Sequence, residues 1–225
     1  MTADFNDLRI KMVDNQIRTT DVTNAVVLDA FLAVPREEFV PPAWRALAYI
    51  DEDILVKPAS PTGEAARYLM EPSPFAKLVQ LAAIEPGDVV LDIGTATGYS
   101  AAVLSKLASS IIAVESDSEL AAQATEKLSE LGYDNVVIVT APMTGGYPSE
   151  APYDVIVLEG AVDFVPDALF DQLKDGGRLV AVEGLGNAGV AKLYVKDEGI
   201  ASGRRAFNLA VKPLAGFERK PQFEF

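Results

Sequence analysis

The sequence predicts an α/β fold, a Rossmann-like, doubly wound, mostly parallel sheet with helices on both faces, an N-terminal helical extension and a C-terminal β-rich segment. Three observations predict it. From Val89 onward short apolar runs alternate with helical stretches, a glycine-rich turn follows the first run, and the second run ends on an acid, Glu115. Continuous apolar runs are what strands buried on both faces need, and parallel neighbours need helical crossovers between them.

The extension covers residues 1 to about 50, where Val22, Val26, Val27, Ala30, Phe31 and Val34 are spaced for one buried helical face, interrupted by Pro35 and Pro41-Pro42. Lys57 to Gly63 carries turn and loop residues only, as a binding loop would. Pro72 and Pro74 open a helix that buries Phe75, Leu78, Val79 and Ala82. Val89 to Ile93, the Gly94 to Gly98 turn, a helix to about Leu107 and Ile111 to Glu115 then form one βαβ unit. The next helix opens with the capping-box spacing Ser116 to Glu119 and stops at Gly132. Strands follow at Val136 to Val139 and Tyr153 to Leu158, a helix at Pro166 to Leu173, and a fifth strand at Arg178 to Val182 after the turn Asp175-Gly176-Gly177. Two β-rich runs, Val190 to Val195 and Ala206 to Val211, close the chain around Lys196 to Gly199. At 225 residues this is one domain, with 1–74 as helical and loop extension and 75–225 as the Rossmann-like core.

Composition narrows the chemistry. The formal charge of −14 repels phosphate backbones and anionic lipid, so no nucleic-acid or membrane partner is expected. No apolar run approaches the roughly 18–20 residues that cross a bilayer, and Asp4, Asp7, Arg9 and Lys11 near the start point to a cytoplasmic, untargeted chain. Cysteine and histidine are absent, which removes disulfides, thiolate nucleophiles, His-based triads and zinc sites with sulfur or imidazole ligands. No metal is expected, and the run Asp51-Glu52-Asp53 reads as a solvated turn.

The glycine turn Gly94-Thr95-Ala96-Thr97-Gly98 lets backbone approach a ligand, and Glu115, at the end of the second strand, stands where a ribose hydroxyl pair is bound. A nicotinamide dinucleotide turn would have G-x-G-x-x-G. Here Ala96 takes the second glycine's place and bulky Tyr99 the third, so a ligand without pyrophosphate matches better.

Met12 to Arg18, Val34 to Pro41, Ala48-Tyr49, Leu91 to Gly94, Gly98 to Ala102, Ala151 to Asp154 and Gln172 to Leu179 together resemble the protein-L-isoaspartate O-methyltransferases, over most of the chain. The resemblance implies a cytoplasmic enzyme that transfers a methyl group from S-adenosyl-L-methionine (SAM) to the free carboxylate of an isoaspartyl residue in a protein or peptide. Methyl transfer suits a chain without histidine or cysteine, because the donor is already activated and a carboxylate acceptor needs no proton removed. The resemblance places Asp92, Gly94, Thr95, Ala96, Gly98, Tyr99, Glu115, Ser116 and Ala141 at the cofactor, with Glu115 on the ribose, and Leu69, Met70, Glu71, Pro72 and Ser73 over the acceptor. It assigns no single catalytic residue.

This sequence departs from the family pattern in three places. Tyr68 to Pro72 stands where a Thr-Ile-Ser-x-Pro run is usual, so Met70 replaces a serine and Glu71 adds an acid. Ala96 replaces the middle glycine of G-x-G-x-G, and Thr140-Ala141 replaces a Gly-Asp pair whose acid reaches adenine. Two alternatives therefore stand beside the family reading: a catalytically silent SAM-fold interaction protein, and a methyltransferase for a different small acceptor. Trp44 and Tyr49 are expected to pack the extension onto the core, with peptide binding as the less favoured reading, and Glu159 and Asp163 either line the acceptor pocket or are solvated loop charges.

Overall fold

The computed structural model describes residues 4–61 and 63–219. Thr62, in the predicted loop, and the first three positions of the extension lie outside the described residues. The extension is helical. Helix α1 (Phe5–Met12) is capped by Asp4, whose carboxylate accepts the Asn6 and Asp7 amides, and it runs on through a π-helical turn at Val13–Ile17. Asn24 caps α2 (Ala25–Ala33) in the same way. Val27, Ala30 and Phe31 are buried as expected, but Val26 is 59% exposed, because a helix this short buries a narrower face than the apolar spacing suggests.

A two-stranded antiparallel ribbon, β1 (Ile54–Lys57) and β2 (Arg67–Leu69), flanks the segment read as loop, so Lys57 ends a strand. Three-residue β2 is too short for its alternation to register in sequence; in place, Arg67 and Leu69 are buried on one side while Tyr68 lies between them. Helix α3 (Pro72–Ala82) follows, with proline at its first turn as the sequence predicts.

The main sheet contains β3 (Val89–Ile93), β4 (Ser110–Glu115), β5 (Val136–Thr140), β6 (Tyr153–Val162), β7 (Leu173–Glu183), β8 (Val190–Asp197) and β9 (Ile200–Asn208). Its spatial order is β5-β4-β3-β6-β7-β8-β9. The pairs among β3 to β7 are parallel, and β8 and β9 add an antiparallel hairpin. Helices α4 (Tyr99–Leu104), α5 (Ser118–Glu130) and α6 (Asp167–Asp171) make crossovers. Alternate residues of each central strand feed two separate cores: Val90, Ile111, Val155 and Val180 on one face, Leu91, Ile112, Ile156 and Leu179 on the other. That burial on both faces is the reason the strands read as nearly continuous apolar runs, interrupted by Asp92 in β3 and Asp154 in β6.

Several boundaries move, among them the end of β6, which runs on to Val162 rather than stopping at Leu158 and so takes Glu159 into the strand. The fifth core strand begins at Leu173 rather than Arg178, since Asp175-Gly176-Gly177 forms a bulge within β7 between the pairs Tyr153↔Leu173 and Val155↔Arg178. The preceding helix is correspondingly shorter, Asp167–Asp171. The last strand lies at Ile200–Asn208, earlier than expected, because an edge strand with one solvated face tolerates Arg204 and Arg205 and gives no apolar run.

Arg36 ties the extension to the core. It is fully buried, donates from Nε to Ala48 O at 2.8 Å and from Nη2 to Met70 O at 2.9 Å, and its guanidinium carbon lies 4.8 Å from the Tyr99 ring centroid. Burial pushes its pKa down from the ordinary arginine value. We expect Arg36→Ala to cost roughly 2–5 kcal/mol in urea unfolding, because two buried carbonyls lose a charged donor. Arg36→Lys should recover less than half, since an ammonium cannot span both carbonyls as the planar fork does; full recovery would show that charge alone matters.

Candidate cofactor site

The strand order reverses at β3, whose neighbours β4 and β6 lead away in opposite directions, and the crevice this opens at the carboxyl ends is where such sheets bind ligands. The turn after β3 lies there. Gly94, Ala96 and Gly98 all have positive φ, at 93°, 50° and 93°. Ala96 keeps a left-handed conformation at a cost of about 1–2 kcal/mol, and its N–H thereby reaches Glu115 Oε2 at 2.9 Å. A Cβ on Gly98 would lie 3.1 Å from both Ala124 Cβ and Leu128 Cδ1, so this glycine lets α5 pack closely on the turn. Tyr99, read as too bulky for a dinucleotide turn, is buried among Phe31, Phe39 and Phe75.

Two carboxyl groups sit below and beside the turn. Asp92 is fully buried and accepts the Ser100 hydroxyl at 2.7 Å. Burial pushes its pKa up to about 7, opposed by the hydroxyls of Ser100 and Thr95 and assisted by the nearby Glu115 charge. Glu159, near the carboxyl end of β6, is held well above the usual range by burial and then by Asp92. Its Oε1 is buried without a hydrogen-bond partner, as is Thr97 Oγ1. Among the residues predicted here, Ser116 is exposed with its hydroxyl 3.5 Å from Glu115 Oε1, while Ala141 meets the site through its backbone, N–H to Glu115 O at 3.2 Å.

Glu115 is fully buried, and its partner is a residue the sequence reading missed. Arg67 donates from Nη1 to Oε1 and from Nη2 to Oε2, the latter at 2.7 Å. Oε1 also accepts the Asp117 amide at 2.9 Å. A lone arginine in an apparent loop carries no spacing signal; only recognition of β2 as a strand would have placed it inward.

The acceptor segment divides. Leu69 and Met70 face the turn, where Met70 lines two gaps of about 10 Å³ each, one bounded by Arg67, Tyr68, Glu159 and Lys212, the other by Gly94, Thr95, Tyr99 and Ser100. Ser73 instead donates its hydroxyl to Asp51 Oδ1 at 2.8 Å, and the Glu71 amide donates to Asp53 Oδ1 at 3.0 Å. Burial, followed by the charges of Asp51 and Asp53, pushes the Glu71 carboxyl up to about 7. Asp51 and Glu52 are exposed in a bend, as the sequence suggested, and Asp51 and Asp53 have definite partners as well. Asp163, at the end of β6, accepts the Arg219 amide at 2.8 Å and donates its own to Phe217 O, which fixes the C-terminal segment.

The protein-L-isoaspartate(D-aspartate) O-methyltransferase family model matches residues 8–217. The chain belongs to this family. A protein-L-isoaspartate O-methyltransferase of Koribacter versatilis is 38% identical over 187 residues, 83% of this chain and 80% of that protein. A second, from an Anaeromyxobacter species, is 37% identical over 202 residues, 90% and 79% of the two chains. A solved protein-L-isoaspartate O-methyltransferase superposes with a TM-score of 0.77 at 28% identity, covering 93% of this chain and 65% of that longer one. A Plasmodium falciparum structure containing S-adenosyl-L-homocysteine shares the fold, with a TM-score of 0.75 at 17% identity and coverage of 94% and 98%.

SAM is the methyl donor of the family, and the donor set here fits its chemistry. The molecule brings a sulfonium, an ammonium and a ribose diol, and the turn is bordered by Asp92, Glu159 and Glu115. Glu159 Oε1 is a buried polar atom with no partner among the described residues. The volume is another matter, since the gaps beside the turn have room for about one water each.

The raised Asp92 carboxyl has a measurable consequence. The folded chain holds this proton up to about pH 7, whereas the unfolded chain releases it near ~4. The stability it contributes is therefore present at low pH and is lost as pH rises through that window. We expect the urea midpoint of the ligand-free protein to fall from about pH 5.5 to about pH 8, and Asp92→Asn to flatten that slope by on the order of 1 kcal/mol or more. Parallel slopes for the two proteins would place the titration elsewhere.

Proposed function

We propose that this chain transfers the methyl group of SAM to the free carboxylate of isoaspartyl residues in proteins or peptides. The observation that carries the reading is the Gly94–Gly98 turn facing Glu115 at the sheet's switch point, in a chain that matches the family over residues 8–217. SAM supplies an activated methyl group, so the chain has to bind, orient and exclude water. In this reading Gly94 to Tyr99 and Asp92 hold the methionine part, Glu115, Ser116 and Ala141 border the nucleoside, and Leu69 and Met70 cover the acceptor. Among the described residues no helix is long and apolar enough to cross a membrane. A cytoplasmic enzyme acting on damaged protein is the reading we adopt.

Met70 and Glu71 tune the acceptor side. A thioether replaces a hydroxyl donor, and an acid stands next to it. Because the Glu71 carboxyl is pushed up to about 7, it is neutral at lower pH and repels an anionic acceptor only above that value. The test is transfer of labelled methyl from SAM to an isoaspartyl peptide. We expect slow turnover that rises as pH falls from about 8 to about 6, and a smaller rise over that range for Glu71→Gln. Met70→Ser should raise kcat/KM by about tenfold, the worth of one hydrogen bond to the acceptor. Absence of transfer by the wild type and both variants would sink the acceptor assignment.

A further inference from the structure

Glu115 has no acceptor position left. Its two oxygens take both terminal nitrogens of Arg67, the Ala96 amide and the Asp117 amide, and a carboxylate offers about four good positions. A guanidinium edge presents two N–H donors side by side, and a ribose diol presents two O–H donors in a similar fork. Arg67 therefore makes the contacts that a ribose would make.

The neighbouring space is filled from the other side. Residues 211–219 run along the end of β6, with the Ala161 amide donating to Lys212 O at 2.9 Å and the Leu214 amide to Ala161 O at 2.8 Å. Leu214 packs directly on the turn, its Cδ1 lying 2.6 Å from where a Cβ on Gly94 would sit. On the Gly94 to Ala96 side of the turn the space is the pair of gaps of about 10 Å³ each, against roughly 300 Å³ or more for a site that holds a ligand of this size, and the cavity of about 530 Å³ that reaches Thr97 lies between the extension and α5.

We propose that Arg67 is an internal competitor for the cofactor, closing the site by occupying the ribose position on Glu115 until it is displaced. The inference rests on the reading of this crevice as a SAM site. Arg67 belongs to the small β1–β2 ribbon, not to the main sheet, so its side chain can leave without unpairing any central strand. Asp53 and Glu159 line the gap beside it and give the displaced guanidinium carboxylates within reach. The apparent cofactor affinity is then the intrinsic one multiplied by the fraction of molecules in which Arg67 has moved aside.

The experiment is calorimetric titration of the full-length chain with S-adenosyl-L-homocysteine, with circular dichroism confirming the fold of each variant. Arg67→Ala is expected to bind at least about tenfold more tightly than the wild type, and adding Glu115→Gln to it should abolish the gain. Arg67→Lys, which keeps the charge but loses the fork, serves if the alanine variant does not fold, and it should show a smaller gain of the same sign. Leu214→Ala should also tighten binding, by opening the second wall. Equal or weaker binding by folded Arg67 variants overturns the proposal. If the wild type binds as tightly as they do and methylates the peptide, the competitor idea fails while the methyltransferase reading stands. No binding by any folded variant defeats both, and tighter binding without peptide methylation supports the competitor and defeats only the acceptor assignment.

Discussion

The ion pair between Arg67 and Glu115 is the contact around which the whole crevice is arranged. Glu115 ends β4 and its carboxylate takes the Ala96 amide of the glycine turn and the Asp117 amide that opens α5. Asp117 in turn caps α5 through the Glu119 and Leu120 amides and receives Lys57 from β1 at 2.5 Å. Both strands of the small ribbon are thus pinned by cations to one end of the main sheet. Such a pair is costly to bury, and its attraction roughly offsets that cost only when all remaining lone pairs are satisfied, as they are here.

The acids around the turn follow a related logic. Burial and then charge repulsion push the carboxyls of Asp92 and Glu159 above the usual range, while Glu115 has a buried cation against it. Bringing a sulfonium and an ammonium into such a crevice would favour the ionised forms of the first two and compete with the cation on the third. The same residues that favour a cationic cofactor therefore also favour self-association within the chain when it is absent. Arg36 provides a contrast: it is buried with two backbone carbonyls and an aromatic face, has no carboxylate directly bonded among the described residues, and holds the extension over Tyr99.

Much of the fold was legible because the central strands are buried on both faces. Val89 to Ile93, Ile111 to Glu115 and Tyr153 to Leu158 are apolar on both faces for that reason, apart from the single acids Asp92, Glu115 and Asp154, and the turn residues between them announce the crossovers. The edges were less legible. In β9 and the β1–β2 ribbon one face is solvated or the strand is too short, so charged residues interrupt any pattern. The bulge in β7 read as a turn, since Gly176 at a φ of 79° serves either purpose.

By itself the sequence determined the parallel core, the position of the glycine turn, the acid at the end of β4 and the family, because each depends on local pattern or on residues close together in the chain. Only the tertiary structure decided which side chain Glu115 binds, that Ser73 turns to Asp51 and that Leu214 covers Gly94. Arg67 and Glu115 are 48 positions apart, and Leu214 is farther still from the turn it covers. Pairings over such distances are chosen by packing geometry and by the need to satisfy buried charge, and neither leaves a periodic trace in the chain.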